Sequence, residues 1–156
     1  MIEIREVLAS DEKSEICNKT LRALPEWFCS EKAIADYVSK VESMPFYVAY
    51  ESEKAVGFIA IRNHNEYTAE VFVMGVAETY HRQGLGRRLI KRCEEHCISN
   101  KKLFLTVKTL DASAKYEPYD RTREFYKKMG FIPLEIFPMY WDTDNPCLFM
   151  VKAVLA

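Results

Sequence analysis

Glycine is scarce in this chain: 5 residues of 156, where an average usage of about 7% gives roughly 11. That excludes a collagen-like or glycine-rich flexible chain. Net charge is nearly absent too, since 22 Lys and Arg against 23 Asp and Glu leave −1. No whole-chain field therefore favours nucleic acid or another polyanion. No apolar run approaches the roughly 18 residues of a membrane span. Met1-Ile2-Glu3-Ile4-Arg5-Glu6 shows neither a basic n-region nor an apolar h-region, which predicts a soluble, unanchored protein. Linkers rich in Gly and Ser, low-complexity tracts and internal repeats are missing as well. The five cysteines (Cys17, Cys29, Cys93, Cys97 and Cys147) are odd in number and scattered, and read as reduced thiols of a cytoplasmic protein.

What is present is an ordinary globular composition, 49% apolar with 9 Tyr, 9 Phe and 2 Trp, and no domain boundary within 1–156. Residues 2–7 alternate as a strand does. Ser10 or Asp11 is placed to cap a helix that Pro25 stops. After Ser30, the spacing of Ile34, Tyr37, Val38 and Val41 predicts an amphipathic helix. Strand-like runs follow at 46–50, 55–62 and 69–77, joined by connections short enough for hairpins. Leu85, Leu89, Ile90, Cys93 and Cys97 then mark a helix ending near Ser99-Asn100. A strand at 103–110, a polar loop at 111–118, a helix from Thr122 to Met129 stopped by Gly130, and strands at about 131–137 and 147–155 complete the chain. The order β-α-α-β-β-β-α-β-α-β-β is that of a mixed α/β sheet.

One segment concentrates the chemistry. Val71-Phe72-Val73-Met74-Gly75-Val76-Ala77 is apolar on both faces, as in a central buried strand. Gly84-Leu85-Gly86 then opens a helix, and a glycine turn leading into a helix N-terminus is a ready anion site. Arg82, Arg87 and Arg88 crowd that positive end, where each cation is disfavoured by roughly 0.3–1 kcal/mol, so a bound anion is expected to offset them. Leu89 stands where a dinucleotide fingerprint needs its third Gly, and Arg87-Arg88 stands where a P-loop needs Lys-Ser/Thr. Neither nucleotide motif fits.

The run Val76-Ala77-Glu78-Thr79-Tyr80-His81-Arg82-Gln83-Gly84-Leu85-Gly86 resembles the acetyl-CoA pyrophosphate loop of the GNAT (Gcn5-related) N-acetyltransferases, whose pattern is Gln/Arg-x-x-Gly-x-Gly/Ala. Phe125-Tyr126-Lys127-Lys128-Met129-Gly130-Phe131 is similar to that family's second signature, about 40 residues on. The element order matches across nearly the whole chain. The resemblance implies a mixed, mostly antiparallel sheet of about seven strands, helices on both faces, and central strands that splay. It implies acetyl-CoA as cosubstrate and no metal. His81, Arg82, Gln83, Gly84, Leu85, Gly86 and Arg87 are the implied pyrophosphate residues, and Met74, Gly75 and Val76 the backbone that receives pantetheine. Two departures stand out: His81 replaces the usual Gln or Arg, and Tyr119 stands where many members carry a small Asn.

By the same resemblance an amine attacks the thioester directly, and Tyr126 matches the tyrosine that protonates the departing sulfur. A phenol with a reference pKa of about 10 is a donor at neutral pH. Glu70 lies at the head of the apolar run, 84 − 70 = 14 residues before the first loop glycine, the spacing of the glutamate base in the histone-acetylating branch. Desolvation there is expected to raise its pKa; ordered water is the alternative base. The implied partner is a small-molecule or peptide amine, with no nucleic acid and no membrane, and a homodimer is left open. Another acyl-CoA donor, or a CoA-binding sensor without turnover, are the competing readings. Cys93, His96 and Cys97 share one helical turn but lack a fourth ligand, and the two cysteines continue the buried face. His64 has no sequence neighbour to pair with and reads as a loop residue. Trp27, Phe28, Tyr47, Tyr67, Tyr116, Tyr119, Tyr140 and Trp141 are candidate walls of an acceptor cleft, which an acidic N-terminal half would suit to a cationic amine.

Overall fold

A computed structural model describes residues 1–154. Along them run β1 (Ile2–Glu6), α1 (Ser10–Arg22), α2 (Glu31–Lys40), β2 (Phe46–Glu51), β3 (Lys54–Asn63), β4 (Thr68–Val76), α3 (Leu85–Ser99), β5 (Phe104–Leu110), α4 (Pro118–Lys128), β6 (Ile132–Asp142) and β7 (Asn145–Ala153). The strands form one sheet in the order β1-β2-β3-β4-β5-β7-β6. Every pairing is antiparallel except β4 with β5, where the crossover through α3 requires a parallel partner. The expected mixed, mostly antiparallel sheet is therefore the one observed.

Alternation along the strands sends side chains to two cores. Phe46, Val48, Phe58, Ala60 and Val73 pack with Cys17 and Leu21 of α1 and Ile34 of α2. On the opposite face Tyr47, Ile59, Ile61, Val71, Leu105 and Val107 pack with Leu85, Leu89, Ile90, Cys93 and Cys97 of α3 and Tyr126 of α4. Each large side chain removed from water stabilises the fold by about 1.5–3 kcal/mol. Helices thus cover both faces, and the sheet lies between two cores.

Three boundaries differ from those the sequence suggests. α1 starts after Ala9, with no side-chain cap, because the Ser10 hydroxyl donates to the Glu42 carbonyl instead. α4 starts at Pro118 rather than Thr122, Pro being well suited to the first helical turn. β6 extends to Asp142, so the last two strands form a long hairpin. Of the strand expected over 147–155, Leu155 lies outside the described residues. No helix among the described residues is long and apolar enough to cross a membrane.

Two irregularities shape the middle of the sheet. Ala60 pairs with Val73 and Ile61 with Val71, leaving Phe72 as an extra residue in β4, a bulge of the kind that re-aims side chains. The parallel ladder between β4 and β5 then ends at Val71 and Val107. Beyond it the strands diverge, and the β5-facing peptide groups from Met74 to Val76 lose their ladder partners.

Candidate active site

A cavity of about 1770 Å³ opens where β4 and β5 part, running from the N-terminus of α3 past α4 to α2 and the β6–β7 hairpin. At one end the chain turns twice through left-handed backbone, at Arg82 (φ 62°) and Gly84 (φ 78°). Gly84 is the N-cap of α3 and offers no capping side chain. The first intrahelical bond is Arg88 N–H to the Gly84 carbonyl at 3.1 Å, so the amides of Leu85, Gly86 and Arg87 stay free of helical acceptors. The first turn of α3 holds no acidic residue. Arg82 and Arg87 line the cavity with these amides, whereas Arg88 turns away and donates to the Ile2 carbonyl at 2.9 Å.

The two loop glycines have different reasons. Gly84 needs its positive φ, and a Cβ there would meet nothing within 4 Å. Gly86 makes room for a neighbour: its Cβ would sit 3.1 Å from the Phe125 ring of α4. Close approach of α3 and α4 brings Tyr126 to the cavity wall, beside Met74, Gly75 and Val76. Burial pushes the Tyr126 phenol well above its ordinary pKa, with Tyr37 and Cys93 adding smaller electrostatic contributions. A phenol so placed stays protonated at neutral pH and is suited to donate.

His81 ties the loop to β4. Its Nε2 lies 2.6 Å from the Val76 carbonyl, an acceptor that only a protonated ring nitrogen can satisfy. Gln83 donates to the Thr79 carbonyl at 3.0 Å within the loop itself. His81, Arg82, Gly84, Leu85, Gly86 and Arg87 line the cavity, and Gln83 does not.

The other end of the cavity is assembled from distant segments. Tyr119 donates to the Trp27 carbonyl at 2.9 Å, Tyr116 to the Glu26 carbonyl at 2.6 Å, and Trp27 Nε1 to the Pro118 carbonyl at 3.1 Å. These bonds strap the α1–α2 loop to the start of α4 across the splayed strands. Trp27 also meets the His81 ring edge-on at 5.7 Å. Trp27, Phe28, Tyr37, Phe72, Tyr140 and Trp141 wall this end, and Glu26, Asp36, Asp142 and Asp144 supply its acids.

A family model described as an acetyltransferase (GNAT) domain matches residues 42–133, well over half of the chain. The chain belongs to the GNAT acetyltransferase family. A comparison with curated proteins finds no match. Among solved structures, an acetyltransferase of the GNAT family from Desulfovibrio desulfuricans is similar at a TM-score of 0.85 with 16% identity, over 99% of this chain and 100% of that one. An aminoglycoside 6′-N-acetyltransferase complexed with coenzyme A aligns at 0.78 with 18% identity, over 99% and 98%. A GNAT family acetyltransferase from Elizabethkingia anophelis with acetyl-CoA bound aligns at 0.74 with 20% identity, over 97% of each chain.

In this GNAT chain Glu70 sits behind the cavity wall. Its side chain is 5% exposed and does not line the cavity. The sequence suggests a desolvated carboxylate; burial is there, and both oxygens are engaged. His64 Nε2 lies 2.6 Å from Oε1, and Lys108 Nζ donates to Oε2 at 2.9 Å. His64 is thus no solitary loop residue: the β3–β4 turn folds it back onto β4. Lys108, the first β5 residue beyond the parallel ladder, does line the cavity. Sequence reasoning missed Lys108, Tyr37 and Phe72, which read only as strand or helix positions. Tyr47 and Tyr67, in contrast, lie away from the cavity. Cys93 and Cys97 are fully buried on the core face of α3, and among the described residues no cluster of three His, Cys, Asp or Glu could hold a metal.

Proposed function

We propose that residues 1–156 form a single acetyltransferase domain that moves the acetyl group of acetyl-CoA to a primary amine on a cationic small molecule. The observation that carries this reading is the cavity that joins an uncapped, arginine-flanked helix N-terminus to the Tyr126 side chain and then to an aromatic chamber in which Glu26, Asp36, Asp142 and Asp144 stand beside Lys32 and Lys108. The free amides of Leu85, Gly86 and Arg87, with Arg82 and Arg87, would hold the pyrophosphate. The β5-facing peptide groups of the Met74-Gly75-Val76 stretch, other than the Val76 carbonyl that His81 occupies, would hold the pantetheine arm and polarise the acyl carbonyl. Bound acetyl-CoA supplies the activated acetyl group. Tyr126 keeps a proton at its hydroxyl for the leaving sulfur.

For the base we propose Glu70, acting through water because its carboxylate stands behind Lys108. The proton leaves the acceptor ammonium, crosses the water and rests on Glu70, from which His64, 35% exposed at its side chain, opens to solvent. On this reading Glu70→Gln lowers kcat with little change in donor KM; an unchanged kcat leaves ordered water as the base.

Glu26, Asp36, Asp142 and Asp144 favour a cationic acceptor, and an aminoglycoside is the acceptor named for one structurally similar protein. Thiol release from acetyl-CoA, measured against aminoglycosides, polyamines, simple amines and peptide N-termini, tests the proposal. Turnover with polycationic small molecules is expected. Reaction only with neutral or acidic amines overturns the acceptor class, a preference for longer acyl-CoA overturns the donor, and tight CoA binding with no transfer to any acceptor supports a sensor instead.

A further inference from the structure

Three lysines line the cavity: Lys32, Lys108 and Lys128. Lys32 and Lys128 are exposed, and among the described residues only Lys108 of the three is bonded to a carboxylate. Its side chain is 15% exposed, and its Nζ lies 2.9 Å from Oε2 of Glu70. The Tyr140 and Phe149 rings hold the ammonium from their centroids at 5.3 and 5.4 Å. Register explains the placement. Glu70 pairs with Thr106 in the parallel ladder, and Lys108, two residues beyond Thr106, projects from the same face of the sheet as Glu70. Val107 points the other way, into the core that contains Tyr126. Lys108 and Tyr126 thus stand on opposite faces where β4 and β5 part, and both line the cavity with Met74, Gly75 and Val76. An acyl group held in that gap would have an amine on one side and a proton donor on the other.

We propose, on the reading of this cavity as an acetyltransferase site, that Lys108 is itself an acceptor, acetylated at Nζ from acetyl-CoA when no external amine fills the chamber. An external amine reaches Glu70 through water, whereas Lys108 touches it directly. Lys108 gives one ammonium proton to Glu70, which His64 connects to solvent. Its Nζ then forms a bond to the acyl carbon, and the C–S bond breaks. Tyr126 protonates the departing sulfur and recovers, through water, the second proton that Nζ sheds as it becomes an amide nitrogen. The products are an acetylated Lys108, free CoA and one proton released. Acetylation removes the charge that holds Oε2 of Glu70 and leaves a neutral side chain against Tyr140 and Phe149.

Incubation of the wild-type chain with acetyl-CoA and no amine, followed by intact mass and peptide mapping, tests this. Label is expected at Lys108, arriving about tenfold or more faster than at Lys32 or Lys128, whose amines touch no base. The rate is expected to saturate with acetyl-CoA, to be independent of protein concentration, and to fall in Tyr126→Phe. Lys108→Arg is expected to lose the fast label and keep the slow ones. An unlabelled Lys108, labelling no faster than at Lys32 and Lys128, or a rate that grows with protein concentration overturns the proposal. Transfer to external amines with Lys108 unmodified overturns self-acetylation alone. No transfer to Lys108 or to any amine overturns the acetyltransferase reading with it.

Discussion

At the end of the cavity proposed to take acetyl-CoA, the donor end, one stretch from Met74 to Arg87 supplies free helix amides, strand peptides beyond the β5 ladder and two arginines, and α4 adds Tyr126. At the proposed acceptor end the wall comes from the α1–α2 loop, α2, the bulge of β4, Lys108 of β5 and the β6–β7 hairpin, brought together by three strap bonds and a buried ion pair. The donor end is built mainly from backbone and the acceptor end mainly from side chains. Backbone amides recognise any pyrophosphate, so that end can be shared widely within a family. Side-chain walls change with each substitution, so the acceptor end is where members can differ.

The comparison is sharpest at the residue where both ends meet. Tyr126→Phe keeps the ring that fills the core and deletes the proton, and is expected to lower kcat by about 10²–10⁴-fold with little change in donor affinity. Steady-state kinetics with acetyl-CoA varied checks this, and a KM effect alone would reassign Tyr126 to packing. Next in size is Gly84→Ala. Its Cβ meets no neighbour, yet a left-handed φ costs a non-glycine residue about 1–2 kcal/mol. Donor KM should rise roughly tenfold, with the acceptor KM unmoved.

Burial in the core beneath α1 and α2 leads to a pH effect. Burial pushes the Cys17 thiol up to about 12, and burial together with the nearby Glu70 pushes the Tyr37 phenol up to about 12. Both groups are neutral when folded, so their contribution is complete below their unfolded pKa values of 9.0 and 10.0. It is lost as pH rises toward 12, because the unfolded chain then releases protons that the native state retains. Denaturant titrations should show stability falling above about pH 9, less steeply in Cys17→Ala. Tyr126, raised in the same direction, should cause no alkaline fall in kcat up to pH 10. The smallest effect is expected from Asp142→Asn/Asp144→Asn. Exposed charges contribute about 0.2–1 kcal/mol each, so the KM of a polycationic acceptor should rise a few-fold, the effect should fade in salt, and donor kinetics should stay as they were.

Much of the donor end could be read from residues alone. Glycines at 84 and 86, the arginines around them and the helical spacing of Leu85, Leu89 and Cys93 fall within one short window, and local geometry follows from such windows. Even there the structure reassigned individual residues. Gly86 yields space to Phe125, Gln83 braces its own loop, and Arg88 reaches β1. At the acceptor end less was legible. The aromatics of the α1–α2 loop and the hairpin were visible as candidates, but nothing in Tyr37 or Phe72 distinguishes a cavity wall from a core position. His64 and Glu70 are six residues apart, and only the turn between them makes them partners.

By itself the sequence determined the element order, the N-terminus of α3 and the helix that carries Tyr126. Those features depend on periodicity, backbone freedom and motif spacing, all carried by neighbouring residues. Tertiary structure alone decided that Glu70 is shared between Lys108 and His64 and that Tyr119 holds Trp27 across the cavity. Each depends on strand register or on which helix lies over which strand. A one-residue slip in register would send Glu70 to the opposite face of the sheet, and no short window of sequence contains that choice.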